Sequence, residues 1–148
     1  MEPGASQYLT TSPQILRVAA ALPAAGALDA TPLAVAVPGW RKCTLFCSYT
    51  RAAAGGSVRL VPEYSIPGAA TTWYRPTIYD AGAFVAGADV VSNLQRESFL
   101  YTSTAAGAER FIYDFEMPSN VEYIRVGCCE VGTVATPGSM AIVAILSM

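Results

Sequence analysis

Asp114 and Glu116 are the residues whose type and spacing most readily suggest chemistry. They stand two apart in ERFIYDFE. On a strand both carboxylates then project from one face, roughly 7 Å apart. That separation suits a pair of glycoside-hydrolysing carboxylates or two oxygen ligands of a calcium ion. A solvated outer strand face accounts for them at least as well. The chain has no histidine, which excludes imidazole acid–base chemistry, imidazole metal ligands and serine– or cysteine–histidine nucleophile pairs. Cys43 and Cys47 lie four apart on one predicted strand, roughly 13 Å from each other, too far for a mutual disulfide. Cys128 and Cys129 are adjacent and point to opposite faces. Neither pair has the C-x2-C spacing of a zinc site, so four free, buried thiols are expected. No phosphate-binding glycine loop and no G-x-S-x-G elbow is present.

Aromatic side chains offer a second kind of chemistry. Trp40, Trp73, Tyr74 and Tyr79 could stack on sugar rings, and aromatics are equally common as core and interface anchors. Trp73, followed by Tyr74, Arg75 and Pro76, is the best candidate for an exposed one.

The elements that must position these residues are strands. Val121–Ser147 reads as two strands joined by a loop marked by Gly132, Pro137 and Gly138, a closing hairpin. Its first arm places Ile124, Val126 and Cys128 on one face. Its second arm, Met140–Leu146, is apolar throughout and reads as a fully buried strand, too short to span a membrane. Trp40–Thr50 alternates Cys43, Leu45, Cys47 and Tyr49 against Thr44, Phe46 and Ser48. Across Ala52–Gly56 it leads into Ser57–Tyr64, a second hairpin signal. Pro62 lacks a ladder donor and places that strand at an edge or interrupts it. Leu94–Thr102 and Glu109–Glu116 flank a turn, and Phe111, Tyr113 and Phe115 form an aromatic face opposite Ile112, Asp114 and Glu116. Leu33–Val37 is a half-buried strand, Gln14–Ala21 a strand or a helical turn, and Ile78–Asn93 the longest irregular connection. About eight short strands with frequent turn signals predict an all-β sandwich or barrel. The expected core includes Leu45, Val58, Leu60, Phe111, Phe115, Ile124, Val126, Ile142 and Ile145.

At 148 residues a single domain is expected, residues 14–148, preceded by an extended N-terminal arm, residues 1–13, anchored by Tyr8 and Leu9. Hydrophobic residues make up 53% and charged residues only 14%, and the net charge is −2. A weakly acidic chain lacks the basic footprint of a nucleic-acid binder. Its N-terminus lacks the basic and apolar regions of a signal peptide, and Val18–Val37 is too broken for a membrane helix, so no membrane partner is expected. So little charge on so small a domain favours burying apolar surface between subunits.

The segments WRKCTLFCSYTRAAAGGSVRLVPEYS, TTWYRP and MPSNVEYIRVGCCEVGTVATPGSMAIVAILS, spanning most of Leu33–Ser147, resemble the small β-sandwich virion proteins of tailed bacteriophages. Decoration (cement) proteins and neck or tail accessory proteins belong to that group. The likeness lies in general character and includes no diagnostic motif. The chain is short, histidine-free, rich in Ala, Gly and Thr, and dense in strands, with a polar arm in front. The resemblance implies a jelly-roll-like antiparallel sandwich, a homotrimer and a seat on a major capsid or other virion protein. It implies no cofactor, no metal and no catalytic residue. The expected function is therefore a non-enzymatic capsid decoration protein, in the virion after assembly in the host cytoplasm. Its partner-binding residues would be drawn from Tyr8, Leu9, Trp40, Trp73, Tyr74 and Tyr79. The alternative is a glycan-binding sandwich that uses Trp73 and Tyr74.

Overall fold

Wherever apolar residues recur at every second position the chain is extended, because a strand can bury one face and wet the other. The computed structural model describes residues 9–23, 27–30, 32–52, 56–75, 99–104, 107–131 and 136–148. Tyr8, Tyr79 and the 78–93 connection fall outside them. Eight strands result: β1 (Gln14–Ala21), β2 (Ala34–Ala36), β3 (Lys42–Arg51), β4 (Ser57–Ser65), β5 (Phe99–Thr102), β6 (Gly107–Glu116), β7 (Tyr123–Glu130) and β8 (Ser139–Ser147). Among the described residues there is no helix, hence none long and apolar enough to cross a membrane.

All ladders are antiparallel. The front sheet has the order β1-β8-β3-β6 and the back sheet β2-β7-β4-β5. Two four-stranded sheets in which every successive pair of strands except β4 and β5 is divided between the sheets form a jelly-roll sandwich. The two expected hairpins are not hairpins. β3 enters the front sheet and β4 the back one, and β7 and β8 are likewise divided. Turn residues and periodicity mark where a strand ends and which face it buries. They carry no signal for whether the next strand pairs beside it or crosses to the opposite sheet.

The core lies between the sheets. Leu45, Val58, Leu60, Ile124, Val126 and Ile142 are fully buried there, and Phe111 and Phe115 pack half-buried against them. Ile145 departs from expectation. β8 alternates buried with half-buried positions, and Ile145 lies opposite Thr44 on the outer side. In a strand apolar at every position, composition alone does not reveal which alternate set faces inward. All four cysteines are free and buried. Burial pushes the Cys43 and Cys47 thiols up to about 12, with further contributions from the charge of Asp114 on Cys43 and from Cys43 on Cys47.

At one side of the sandwich β5 and β6 face each other across the core and close it with aromatic rings. Tyr101 stacks on Phe111 at 3.9 Å and Phe99 on Tyr113 at 4.4 Å between ring centroids. The Tyr113 hydroxyl donates to Leu100 O at 2.8 Å. At the other end of the chain, Thr10 bridges Ser147 and Thr11 N donates to Leu146 O at 2.9 Å. Residues 9–11 thus continue the β1 side of the front sheet.

Pro62 is accommodated within an internal strand. Tyr64 exchanges backbone hydrogen bonds with Tyr74 on the side of β4 away from β7. Residues two apart direct their amides alike, so the donor missing at Pro62 also falls on that side. Among the described residues the β5 ladder reaches only to Leu60, so no described ladder bond is lost at Pro62.

Candidate interaction surface

The outer face of the front sheet is open. Its register aligns one residue from each strand: Ile15 of β1 pairs with Val143 of β8, Val143 with Phe46 of β3, and Phe46 with Ile112 of β6. Ile15, Phe46 and Ile112 are 57%, 41% and 60% exposed, and Val143 is half-buried between them. An apolar stripe therefore crosses the whole sheet. Ile145 flanks it in the next register position, beside Thr44 and Asp114. Contiguous apolar surface of this kind marks contact sites, whereas scattered single residues do not. The signal was present in the sequence: Phe46 lies between Thr44 and Ser48, and Ile112 between Arg110 and Asp114, apolar residues on otherwise polar faces.

The outer face of the back sheet is covered over its central strands β4 and β7, while Ala34, Ala36 and Leu100 of the edge strands stay exposed. Leu28 lies over Gly127, where an added Cβ would sit 3.6 Å from the leucine side chain. Asp29 accepts a hydrogen bond from Cys128 N at 3.0 Å and pairs with Arg17 at 3.1 Å. Glu63 projects outward from β4 yet is only 7% exposed. Its carboxylate accepts from Arg125 Nε at 3.1 Å and Arg75 Nε at 3.2 Å. A carboxylate so far removed from water needs such compensation.

Among the described residues, those expected to bind partners fall in two separate places. Trp73 lies on the back sheet under the Arg125 guanidinium, 4.3 Å from the ring centroid. That contact is favourable in itself and occupies one ring face, which a stacking sugar would need. Tyr74 is half exposed and tied to Tyr64 through the backbone. Trp40 packs partly buried against the core at the start of β3. With Arg41, Lys42, Glu116, Met117 and Met148 it lines a cleft of about 430 Å³. Leu9 is exposed near the same end, its carbonyl accepting from Met148 N at 3.3 Å. Tyr8 and Tyr79 lie outside the described residues. Asp114 and Glu116 are both exposed: Asp114 accepts from Thr44 Oγ1 at 3.1 Å, and Glu116 stands opposite Lys42. Among the described residues no three His, Cys, Asp or Glu side chains group to hold a metal ion.

A buried polar centre carries no mark in the sequence. Glu130 ends β7 at 2% exposure and accepts from the Tyr49 hydroxyl and, at 3.0 Å, from Gly138 N. Burial first, then the bond to Glu130, holds the Tyr49 hydroxyl well above its ordinary range. A Cβ on Gly138 would strike the Thr50 carbonyl oxygen and approach Glu130 Oε1 to 2.9 Å. Gly138 thus serves close packing. This centre joins β3, β7 and the start of β8.

Comparisons with protein-family models, curated proteins and solved structures return no match for this chain.

Proposed function

We propose that this chain is a non-enzymatic structural protein of a virion, a decoration subunit that seats the outer face of its front sheet on the surface of an assembled particle. The observation that carries the proposal is the Ile15–Val143–Phe46–Ile112 stripe, a continuous apolar row presented on a rigid four-stranded surface. Burying such a row against a partner is favourable at about 25 cal/mol per Å² of apolar area. Placing it on paired strands spares the ordering cost that a loop would incur. The resemblance in sequence character to phage decoration and accessory proteins supplies the kind of partner, a capsid or tail protein. Fold alone does not, since jelly rolls serve many roles.

The test is rebinding. Purified chain should co-sediment with particles lacking it, and Phe46→Lys should abolish this while leaving thermal unfolding of the free protein nearly unchanged. The glycan-binding alternative is tested on a saccharide array. A hit removed by Trp73→Ala, together with particle binding indifferent to Phe46→Lys, would replace the structural reading.

A further inference from the structure

A sandwich built from two open sheets has four edge strands, and exposed edges invite pairing with another chain unless they are blunted. Among the described residues three are short or broken. β2 is three residues long and the described part of β5 four. The register of β1 on β8 shifts twice, between Ile15 and Arg17 and between Arg17 and Ala20. Arg17 fills that irregular edge, donating to Ala20 O at 2.8 Å, Ala21 O at 3.0 Å and Met140 O at 2.6 Å. The fourth edge, β6, is different. It runs ten residues in unbroken register with β3 and contains neither proline nor lysine. Met117 N donates to Arg41 O on the β3 side. By the alternation of a strand, Phe115, Tyr113 and Phe111 direct their amides to β3 as well. Ala108, Arg110, Ile112, Asp114 and Glu116 then turn theirs to the free edge, where no described residue meets them.

We infer that β6 pairs antiparallel with β6 of a second copy about a two-fold axis through Ile112, joining two front sheets into one continuous eight-stranded sheet. The side chains of β6 match themselves in this register. Ile112 meets Ile112 of the partner subunit. Arg110 meets the partner's Asp114, and Asp114 the partner's Arg110, so two opposite-charge pairs flank an apolar centre. On the inner side Phe111 meets the partner's Tyr113, extending the aromatic closure of the sandwich edge. Centring the axis on a neighbouring residue instead sets Ile112 against a charge, either Arg110 or Asp114. The outward amides of Ala108, Arg110, Ile112, Asp114 and Glu116 are those that this pairing uses. The interface is isologous and closes after two copies, so the assembly is two-fold where the resemblance to decoration proteins implies a trimer. Both apolar stripes then lie on one side of the joined sheet, continuous through Ile112. The pairing stands whether or not that face docks on a virion, and it is read out in the isolated protein.

The experiment is a charge exchange followed by sedimentation equilibrium of the full chain at tens of micromolar. The wild type is expected as a dimer. Arg110→Glu alone, or Asp114→Arg alone, sets like charges opposite each other and should raise the dissociation constant at least about tenfold. The double variant R110E/D114R restores opposite charges and should return to within a few-fold of wild type. Amide hydrogen exchange gives a second readout. The amides of Arg110, Ile112 and Asp114 should be protected in the wild type and lose protection in R110E. A monomeric or trimeric wild type, or a dimer whose dissociation constant the single exchanges leave unchanged, would overturn the inference.

Discussion

The two sheets share a core and treat their outer faces in opposite ways. On the back sheet, β4 and β7 are buried on both sides over most of their length, under residues 27–30 and 73–75 and a clamped Glu63. On the front sheet, β3 and β8 alternate buried with half-buried or exposed positions, β6 alternates half-buried with exposed ones, and the outward set includes an apolar row. A sheet whose central strands are covered on both faces has finished most of its packing within the chain. A sheet with an open apolar face has not, and the contrast identifies which surface is available to a partner. It also warns against reading function from aromatic content, since Trp73 belongs to the covered side.

The largest expected effect is on that covered side. Glu63→Ala leaves the Arg125 guanidinium over Trp73 without its carboxylate and should lower stability by about 3 kcal/mol in chemical denaturation, the lower end for a buried pair because Arg75 is partly exposed. Asp114→Ala on the open face, measured on the monomer, should change it by less than about 0.5 kcal/mol. Equal costs would mean that the two faces do not differ. Next is Gly138→Ala, which forces a methyl group against the Thr50 carbonyl and should cost about 1–3 kcal/mol by the same measurement.

Thiol reactivity separates the two faces as well. Cys129 points outward from the back sheet yet is buried, and desolvation raises its thiol. It should resist a thiol reagent in the folded protein, whereas a cysteine introduced by Phe46→Cys should react at once. Alkaline unfolding follows from the same burial. The Cys43 and Cys47 thiols are raised from about 9 to about 12 in the fold. Their neutral forms therefore contribute stability that is complete below pH 9 and is lost as pH rises toward 12. Each removes roughly 1 kcal/mol per pH unit in that window. A denaturation midpoint independent of pH between 9 and 12 would contradict their burial. The smallest effect is Ile112→Ser, within about 0.5 kcal/mol for the monomer, although it removes the centre of the inferred pairing.

Much of this fold was legible because period-two patterning survives without context. Cys43, Leu45, Cys47 and Tyr49 read as one inward face and are one. Ile145 and the two expected hairpins were misread for a shared reason: a strand's partner lies far away in sequence, and β8, apolar on both faces, fits either orientation. The apolar stripe of the front sheet was half legible. Phe46 and Ile112 each stood out on a polar face, but only the register places them side by side with Ile15 and Val143. Glu63 and Glu130 gave no sequence signal of burial, because a glutamate in a strand is ordinarily read as a solvent-facing residue.

If the open face of the front sheet is the contact face, a charge placed at the centre of its stripe must prevent attachment. Co-sedimentation with particles lacking the chain tests this directly, with Val143→Lys compared against Tyr74→Ala on the back sheet. Val143→Lys should abolish attachment and Tyr74→Ala should leave it intact, with both proteins folded by dichroism. Attachment that survives Val143→Lys and fails with Tyr74→Ala would contradict the assignment of the front sheet as the contact face.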